Sequence, residues 1–476
     1  MKPTYRQARY EEDLLIKEGK KRDIEQNPLP SKISREKSPK IPDVPEHEVV
    51  RYFNRLSQMN YGIDTGLYPL GSCTMKYNPK YAEKIARNTK ATDIHPYQPG
   101  EMTQGTLEIM FELQEYLAEL GGMDAVSLQP AAGAHGEIAG LMIAHEYHLN
   151  NDEERKEVIL PDTAHGTNPA SVAMLNYDVV EIPSKEGCLD LEALEEAAGD
   201  NTAAFMITNP NTLGIYEEDA CRISDIIHEA GGLLYYDGAN LNAIMGKTNP
   251  GAMNFDIMHF NLHKTFSTPH GGGGPGAGPI GVTEELKSYL PIPIVEKDEE
   301  KYYLNHGLKN SIGRIKGAYG NWLVLLKAYA YIRKEGKDGL EEITERAVLN
   351  SNYLKKKLEP RLDLPYKDLR KHEFVMSGKK MKEKNLKTTD LAKRMLDYGF
   401  HAPTIYFPQL VDEALMIEPT ETETKQTLDE FSNVIASIMK EDEEVIGEAP
   451  HNTAVARVDE TKAIRNPVLS YKMKEK

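Results

Sequence analysis

The sequence is poor in cysteine and has no pair of cysteines at metal-binding or redox spacing. Among its 476 residues, Cys73, Cys188 and Cys221 are the three cysteines, far apart and odd in number. Zinc knuckles and thioredoxin-type sites need closely spaced cysteines, so the sequence argues against both and predicts no metal site. Free thiols are typical of a reducing compartment, and we therefore expect the protein in the cytoplasm.

Positive charge and long apolar runs are also scarce. Lys and Arg number 57 against 74 Asp and Glu, which gives a formal net charge of −17. Nucleic-acid binding needs a local excess of cations, so we do not expect it as the main function. No run of about 18 apolar residues is present, which argues against a transmembrane helix. The polar first 22 residues lack the apolar stretch of a signal peptide.

Strands and helices alternate through the middle of the chain. Short apolar runs predict strands at 125–128, 157–160, 179–182, 203–208 and 232–237. Spacing and composition predict helices at 81–91, 105–120, 137–149, 189–198 and 220–230. Such alternation needs crossover connections and therefore a mainly parallel sheet. Ligands of these sheets bind at the carboxyl ends of the strands, where the motifs described below are found.

Composition divides the chain into three predicted parts. Residues 1–75 are charged and then proline-rich, which predicts an extended arm on a partner subunit, or alternatively a disordered tail. Residues 76–325 form the predicted large α/β domain. Residues 326–476 are helix-rich to about 358, and then predict strands at 372–376 and 415–419 and helices at 389–398 and 425–440. This order indicates a smaller α+β domain followed by a tail.

A lysine followed by a run of glycines is the most informative stretch. Lys264 lies in Asn-Leu-His-Lys-Thr-Phe, and four glycines follow at 271–274. Glycine permits positive φ and close approach of the backbone to a ligand. A lysine in such a pocket can act as an amine nucleophile that condenses with an aldehyde cofactor. The alternatives are an ordinary surface lysine before a flexible loop, or a phosphate loop, although a phosphate loop places its lysine after its glycines.

An acid ends the last predicted strand before this lysine. Asp237 follows Tyr-Tyr in the run 232–237. A carboxylate at this place would keep a pyridinium nitrogen protonated, and the protonated ring is an electron sink. Taken alone, the same residue could be an ordinary turn or N-cap aspartate.

Three further turns contain candidate site residues, each of which could instead be purely structural. Small residues before the helix at 137–149, including Ala134 and His135, would offer free N–H groups to a phosphate. His165 could stack on a cofactor ring and assist proton transfer. Thr208 and Asn211 lie at a polar strand end that could hydrogen-bond the phenolic oxygen of the ring.

Four residues close to Asp237 and Lys264 complete the predicted site. Asn240 and His263 are expected to contact the cofactor, while Thr268 and His270 are expected to orient the lysine or the substrate. The whole order of motifs matches the large domain of fold-type-I pyridoxal-phosphate enzymes. That order is a glycine-rich turn, a histidine, a polar strand end, an aspartate and then a lysine.

Four blocks resemble one family closely, the glycine-decarboxylating P-proteins of the glycine cleavage system. They lie at 69–76, 164–171, 261–276 and 398–404, and the resemblance covers roughly residues 60–420. At this length the chain is similar to the C-terminal half of the single-chain forms, which is the second subunit of the split form of glycine dehydrogenase (decarboxylating). The family more often has Asn or Gln where His135 stands, and this departure leaves the role of His135 open.

The resemblance implies a PLP-dependent transferase-like fold of type I and binding of pyridoxal 5′-phosphate. The implied cofactor contacts are Lys264, Asp237, Ala134, His135, His165, Thr208, Asn211, Asn240 and His263, with Lys264 and His165 in catalysis. The implied reaction is decarboxylation of glycine through a Schiff base (aldimine), which releases CO2 and transfers the aminomethyl group to the lipoyl arm of the H-protein. The lipoyl disulfide is the oxidant, in keeping with the absence of a G-x-G-x-x-G fingerprint after a strand.

The resemblance also implies partners and leaves alternatives open. A first subunit is implied, in an α2β2 assembly, together with the lipoylated H-protein. Other reactions of the same fold type are decarboxylation without a carrier, desulfuration and transamination, and the cofactor motifs do not separate them. A non-catalytic scaffold subunit is a further alternative, against which the presence of both Lys264 and Asp237 argues.

Overall fold

The computed structural model describes residues 2–12, 30, 32–33, 44–271, 276–366 and 369–469. Most of the proline-rich part of the predicted arm, the glycines at 272–274 and the end of the predicted tail lie outside the described residues. None of the helices in these ranges combines the length and the apolar content that crossing a membrane would need.

Helices and strands alternate along most of the described chain. The strands are β1 (Ala125–Ser127), β2 (Glu157–Pro161), β3 (Asp178–Ile182), β4 (Ser184–Lys185), β5 (Cys188–Leu189), β6 (Thr202–Thr208), β7 (Leu233–Gly238), β8 (Ile257–Phe260), β9 (Ile280–Val282), β10 (Ile294–Asp298), β11 (Lys301–Asn305), β12 (Phe374–Ser377), β13 (Thr404–Ile405) and β14 (Ala414–Ile417). The α-helices are α1 (Glu46–Gln58), α2 (Lys80–Ala86), α3 (Thr89–Thr92), α4 (Gln104–Gly121), α5 (Gly133–Asn150), α6 (Thr167–Met174), α7 (Leu191–Ala197), α8 (Ala220–Glu229), α9 (Trp322–Leu358), α10 (Thr388–Asp397), α11 (Lys425–Ile438), α12 (Glu443–Gly447) and α13 (Glu460–Arg465).

A seven-stranded sheet with the order β1-β9-β8-β7-β6-β2-β3 forms the centre of the molecule. The neighbours from β8 to β3 pair in parallel, whereas β9 is antiparallel to β1 and to β8. The prediction of a mainly parallel sheet is confirmed, and each of the five predicted strands in this region overlaps an observed one. The strands β8 and β9, which flank the lysine loop, were not predicted.

The central strands are buried on both faces. Every residue of β6 and β7 is buried, as expected for parallel strands covered by helices on both sides. Successive side chains point to opposite faces of a strand. Tyr235 accordingly lies in the core on one face of the sheet and Tyr236 in the core on the other. The two cores hold the carboxyl ends of the strands, and so the functional site, in a fixed frame.

The helix predicted at 81–91 is wrong as a single element. Two short helices, α2 and α3, replace it, because the side chain of Asn88 accepts a hydrogen bond from the Lys90 N–H and caps a new helix. The helix predicted at 105–120 is confirmed as α4. Helix α6 was not predicted, although it directly follows the candidate residue His165.

The smaller C-terminal part contains a three-stranded antiparallel sheet with the order β12-β14-β13. Its core is formed by α10, α11 and the end of α9, together with Leu67 from the N-terminal region. Helix α9 is interrupted at Gly336, whose φ of 65° is a conformation that glycine adopts without strain. Beyond this point Leu340 still packs in the large core, whereas Leu354 packs in the small one.

The predicted domain limits at 75/76 and 325/326 stay predictions. The packing of α9 favours a later division, within that helix, between residues 343 and 354. Binding of the predicted arm to a partner also stays a prediction. In residues 2–12, the N–H of Gln7 bonds Asn452 of the same chain at 2.9 Å.

Candidate functional site

The carboxyl edge of the central sheet opens into a cavity of about 660 Å³. Most of the predicted site residues lie in its wall. Those that line it are Ala134, His165, Thr208, Asp237, Asn240, His263, Lys264 and His270. The predicted residues His135, Asn211 and Thr268 do not line the cavity.

Lys264 lies in a tight loop directly after β8. Its N–H donates to the carbonyl of Asn261 at 3.0 Å, and Thr268 N–H closes the loop on Leu262 at 3.2 Å. Ser267 has a φ of 56°, which is unfavourable for a residue with a side chain. Its carbonyl accepts a hydrogen bond from Asn78 at 3.0 Å, which helps to hold that strained conformation. The lysine backbone is therefore fixed by contacts on both sides of it.

Asp237 lies at the end of β7 and is fully buried. Its carboxylate accepts hydrogen bonds from Ala239 N–H at 2.9 Å and from the amide of Asn168 at 3.1 Å. Nε2 of His259 lies 3.2 Å from the same carboxylate. Burial alone would raise the pKa of Asp237, but His259, Lys264 and the donated hydrogen bonds outweigh it and lower the pKa. The side chain is thus an anion inside the cavity.

The turn before α5 exposes backbone donors. The first helical hydrogen bond runs from Gly136 N–H to Ala132 C=O, so the N–H groups of residues 133–135 precede it. A Cβ at Gly133 would lie 2.1 Å from the Asn261 side chain, so only glycine fits this close approach. Nδ1 of His135 accepts from Ala131 N–H at 3.1 Å. His135 therefore helps to hold the turn through Nδ1, and its contact with a cofactor stays a prediction.

His165 lies between β2 and α6 and is mostly buried in the cavity wall. Its Nδ1 is 3.0 Å from the hydroxyl of Thr167, which donates in turn to Glu137 at 2.9 Å. Burial and the neighbouring Lys264 lower the pKa of His165. Phe407 from the smaller domain meets the imidazole edge-on, with ring centroids 5.8 Å apart. The ring is therefore neutral at neutral pH and held in one orientation.

Of the predicted polar residues at the ends of β6 and β7, Thr208 and Asn240 line the cavity and Asn211 does not. Asn211 donates to Gly187 and Glu217, and its oxygen accepts from Leu213 N–H and Ile215 N–H. Its amide is therefore fully used inside the protein, and the predicted contact with a cofactor oxygen does not fit its position. The side-chain oxygens of the two lining residues, Thr208 Oγ1 and Asn240 Oδ1, are buried without a hydrogen-bond partner in the described structure.

Two histidines lie beside Lys264. His263 and His270 meet edge-on with ring centroids 4.9 Å apart, and Nε2 of His270 bonds the carbonyl of Cys73 at 2.8 Å. Burial, followed by the charge of Lys264, lowers the pKa of His263 to about 3. Both rings are consequently neutral walls of the cavity. Thr268 is buried outside the lining, and its hydroxyl has no partner in the described structure.

Sequence reasoning missed two groups of lining residues. Ser72 and Cys73 were quoted only as part of a family block, and Lys316 and Asn321 were not singled out at all. The ammonium of Lys316 donates to the side-chain oxygen of Asn321. The glycines at 313, 317 and 320 around Lys316 were the available signal, since such spacing often marks backbone close to a ligand.

The cavity fits an aldehyde cofactor that bears an anionic group and a ring nitrogen. Lys264 offers the amine, Asp237 the anion, and the start of α5 the backbone donors for a phosphate. The unpartnered oxygens of Thr208 and Asn240 leave unused hydrogen-bonding capacity in two residues of the cavity wall.

Two family descriptions match separate parts of the chain. The family described as "Aminotransferase class-V" matches residues 135–274, which contain Lys264, Asp237 and most of helix α5. The family described as "Glycine dehydrogenase, C-terminal domain" matches residues 343–458. The two matches fall on the large and the small parts of the fold, respectively.

Solved structures with the same fold include two of particular interest. One is the glycine decarboxylase (P-protein) of the glycine cleavage system in inhibitor-bound form, with a TM-score of 0.74 at 20% identity, covering 86% of this chain and 93% of that chain. Another is a NifS-like protein, with a TM-score of 0.62 at 15% identity, covering 79% and 99%. At these identities the likeness shows the fold alone, which confirms the predicted fold type I.

Curated relatives are similar over nearly their whole length. Several are called probable glycine dehydrogenase (decarboxylating) subunit 2. The one from Pyrococcus horikoshii is 54% identical to this chain, and the alignment covers 98% of this chain and 97% of the relative. In Caldanaerobacter subterraneus subsp. tengcongensis the identity is 54%, with 96% and 97% covered. In Thermoplasma acidophilum it is 54%, with 97% and 98% covered. With identity this high across the full length, the chain belongs to the glycine dehydrogenase (decarboxylating) subunit 2 family.

Proposed function

We propose that this chain is the pyridoxal-phosphate-bearing subunit of a glycine decarboxylase. It would release CO2 from glycine and transfer the aminomethyl group to the lipoyl arm of the H-protein. In this reaction the bond between the α-carbon and the carboxylate breaks, a C–S bond forms, and the S–S bond of the lipoyl group opens to leave one thiol. The observation that carries the proposal is the pairing of Lys264 with buried, ionised Asp237 in the cavity of a chain of this family.

The cavity residues have the chemistry that this cofactor needs. Pyridoxal 5′-phosphate supplies an aldehyde for condensation with an amine and a ring that accepts an electron pair. Lys264 would hold the aldehyde carbon covalently, and Asp237 would keep the ring nitrogen protonated. The N–H groups of Gly133 and Ala134 would bind the phosphate, and the unpartnered side chains of Thr208 and Asn240 would bond other polar atoms of the cofactor.

Proton handling is assigned to His165. Because burial and Lys264 lower its pKa, the imidazole is neutral at neutral pH and has a lone pair free to accept a proton. The Thr167 hydroxyl and Glu137 behind it fix the orientation of the ring. Phe407 covers its edge and limits the entry of water from the side of the smaller domain.

The family is that of the second subunit of glycine dehydrogenase, which implies a first subunit as the partner. The finer assembly, an α2β2 heterotetramer served by a lipoylated H-protein, is part of our proposal. Helix α1 supports contact with a partner subunit, since it has no buried residue in the isolated chain and exposes Val50 and Phe53. A helix of this kind gains stability when a partner covers its apolar side chains. Localisation in the cytoplasm stays a prediction, supported by three cysteines that are all free.

The alternative reactions of the fold type are less well supported. A NifS-like protein shares the fold, but at 15% identity it says nothing of the reaction. Full-length identity of 54% to glycine dehydrogenase subunits favours glycine as the substrate. A non-catalytic scaffold would have no need of an ionised aspartate buried beside a lysine, since burial of a charge is costly.

One experiment tests the cofactor site and the reaction together. The chain is assembled with its partner subunit and pyridoxal 5′-phosphate, reduced with borohydride, and digested for peptide mapping. We expect the label on Lys264, and a label on any other lysine would contradict the site. A second sample of the assembly, neither reduced nor digested, should exchange the carboxyl carbon of glycine with labelled bicarbonate, and lipoylated H-protein should stimulate the exchange. An exchange rate that does not change when H-protein is added would favour a decarboxylase that uses no carrier.

Lys316 provides a prediction about affinity for the cofactor. Its half-buried ammonium has only the neutral Asn321 as a described partner, and it lies close enough to His135 to lower the pKa of that residue, beside the helix start that would bind the phosphate. We expect Lys316→Met to weaken pyridoxal 5′-phosphate binding about tenfold, because a charge-assisted hydrogen bond is lost. Titration of the cofactor absorbance gives the Kd directly. The exposed Lys379→Met is the control, and equal Kd values for both variants would remove Lys316 from the phosphate site.

A further inference from the structure

A pair of buried glutamates lies on the far side of the Ser72–Cys73 wall of the cavity. Glu373 immediately precedes β12, and Glu418 immediately follows β14. In the antiparallel register Phe374 pairs with Ile417, so Glu373 and Glu418 are the next opposed positions. Both residues are 0% exposed. Like charges directly opposite each other on a sheet destabilise it, and burial increases that cost.

The two carboxyls hold a strained turn of the cavity wall. Oε2 of Glu373 accepts from Ser72 N–H at 2.6 Å, and Oε2 of Glu418 accepts from Thr74 N–H at 2.7 Å. Ser72 and Thr74 have φ values of 65° and 50°, a region that residues with side chains rarely adopt. Between them, Cys73 faces the cavity. The wall therefore keeps its shape because two acceptors fix its N–H groups.

The second oxygen of Glu373 has no partner, and neither has the imidazole beside it. Oε1 of Glu373 and both ring nitrogens of His372 are buried without a hydrogen bond in the described structure. Oε1 lies 3.7 Å from Nε2 of His372. One proton on Oε1 would make the carboxyl a donor within 3.7 Å of a ring nitrogen that has no other partner, and a small movement would close the bond. The second oxygen of Glu418 differs, since it already receives the amide of Asn242 at 3.5 Å.

We propose that Glu373 is a neutral carboxylic acid that donates to His372 and positions the Ser72–Thr74 wall beside Lys264. Together, Glu373 and Glu418 then hold at most one negative charge. Glu373 acts through the wall and does not touch the reacting atoms. This inference rests on the proposed function, because the wall is taken to face the bound glycine.

The surrounding groups favour the neutral acid. Burial, and then the charge of Glu418, raise the pKa of Glu373 well above its ordinary value. Burial raises the pKa of Glu418 to about 7 and lowers that of His372 to about 3. The other titratable groups that act on the pair are Lys264, Glu421 and Cys73, whose thiol has a pKa raised by burial to about 11. Lys264 is the one cation among them, and it opposes the rise without reversing it.

Two substitutions of Glu373 separate shape from charge. Glu373→Gln keeps the size, the acceptor for Ser72 N–H and a donor toward His372, whereas Glu373→Leu keeps only the approximate size. In the enzyme assembled with its partner subunit, we expect Glu373→Leu to raise the KM for glycine about tenfold, with kcat changed much less. Glu373→Gln should restore the KM to within about twofold of the wild type. An equal rise in the KM for both variants would show that a carboxylate charge is needed and would overturn the proposal. An unchanged KM for both variants would overturn it as well.

An infrared measurement keeps the test independent of glycine turnover and of the folding of Glu373→Leu. The wild type minus Glu373→Gln difference spectrum should show the C=O stretch of a protonated carboxylic acid at neutral pH, and a carboxylate band there would refute the neutral acid. Glu423→Gln is the control, because Glu423 is a half-buried glutamate whose pKa is also raised by burial. If a chelator released a divalent cation and altered the band, His372, Glu373 and Glu418 would form a metal site and the proposal would be wrong. Failure of the wild type to decarboxylate glycine would instead reject the proposed function and leave this spectrum unaffected.

Discussion

Replacing Lys264 with alanine should reduce release of CO2 from glycine on the order of 10³-fold or more, in the enzyme assembled with its partner subunit. The lysine offers the amine for the cofactor aldehyde, and its loop brings that amine into the cavity with Asp237. Backbone hydrogen bonds hold this loop, so truncation of the side chain leaves the fold in place. Exchange of labelled bicarbonate into glycine measures the effect, and a circular dichroism spectrum confirms that the variant is folded.

Lys264→Arg is the matched control for charge. It keeps a cation near Asp237 and His165 but does not form a stable covalent bond with an aldehyde. If Lys264 is needed only for its charge, the arginine variant will retain activity. We expect it to be as inactive as the alanine variant and to lose the borohydride-fixed label. Wild-type exchange by either variant would refute the assignment of the site.

Replacing Lys76 with methionine should lower the free energy of unfolding by about 3–5 kcal/mol, because it leaves a buried carboxylate without its partner. Nζ of Lys76 lies 2.5 Å from Glu421, and the two side chains are 0% and 5% exposed. The same ammonium donates to the carbonyl of Thr265, the residue after the reactive lysine, at 2.8 Å. Urea unfolding followed by circular dichroism measures the loss of stability.

A second variant and an exposed ion pair serve as controls for this prediction. Lys76→Met combined with Glu421→Met removes both charges, and it should recover most of the lost stability because no unpaired charge remains buried. Lys80 and Asp64 form a contact of 2.6 Å with side chains 57% and 56% exposed. Lys80→Met should therefore cost less than about 1 kcal/mol. Equal losses for Lys76→Met and Lys80→Met would contradict the role given to burial.

Much of the site was predictable because its residues follow apolar strands. The runs that became β6 and β7 are continuous and apolar, so their ends, and with them Thr208 and Asp237, could be located from the sequence. Parallel strands bring their carboxyl ends to one edge, which is why separate motifs meet in one cavity. Lys264 was located by its motif, although the strand before it was not recognised.

The remaining site residues depend on contacts between distant segments. Lys316 reaches the cavity from a stretch with no regular secondary structure, so no periodic pattern marks it. Glu373 and Glu418 become neighbours only through the register of β12 and β14. Asn211 and His135 were placed in the site by their position in a turn, but local hydrogen bonds use both polar atoms of the Asn211 amide and Nδ1 of His135. A sequence locates a turn more readily than the direction of each side chain within it.

The arrangement of helix α9 constrains the order in which the chain can fold on the ribosome. Leu340 and Ile343 are the last residues of the large core, so that core stays incomplete until synthesis has passed them. Leu67, near the start, packs in the small core with Leu428 and Phe431, near the end. Since domains tend to fold as they emerge, the apolar side chain of Leu67 stays without these partners until synthesis has passed Phe431.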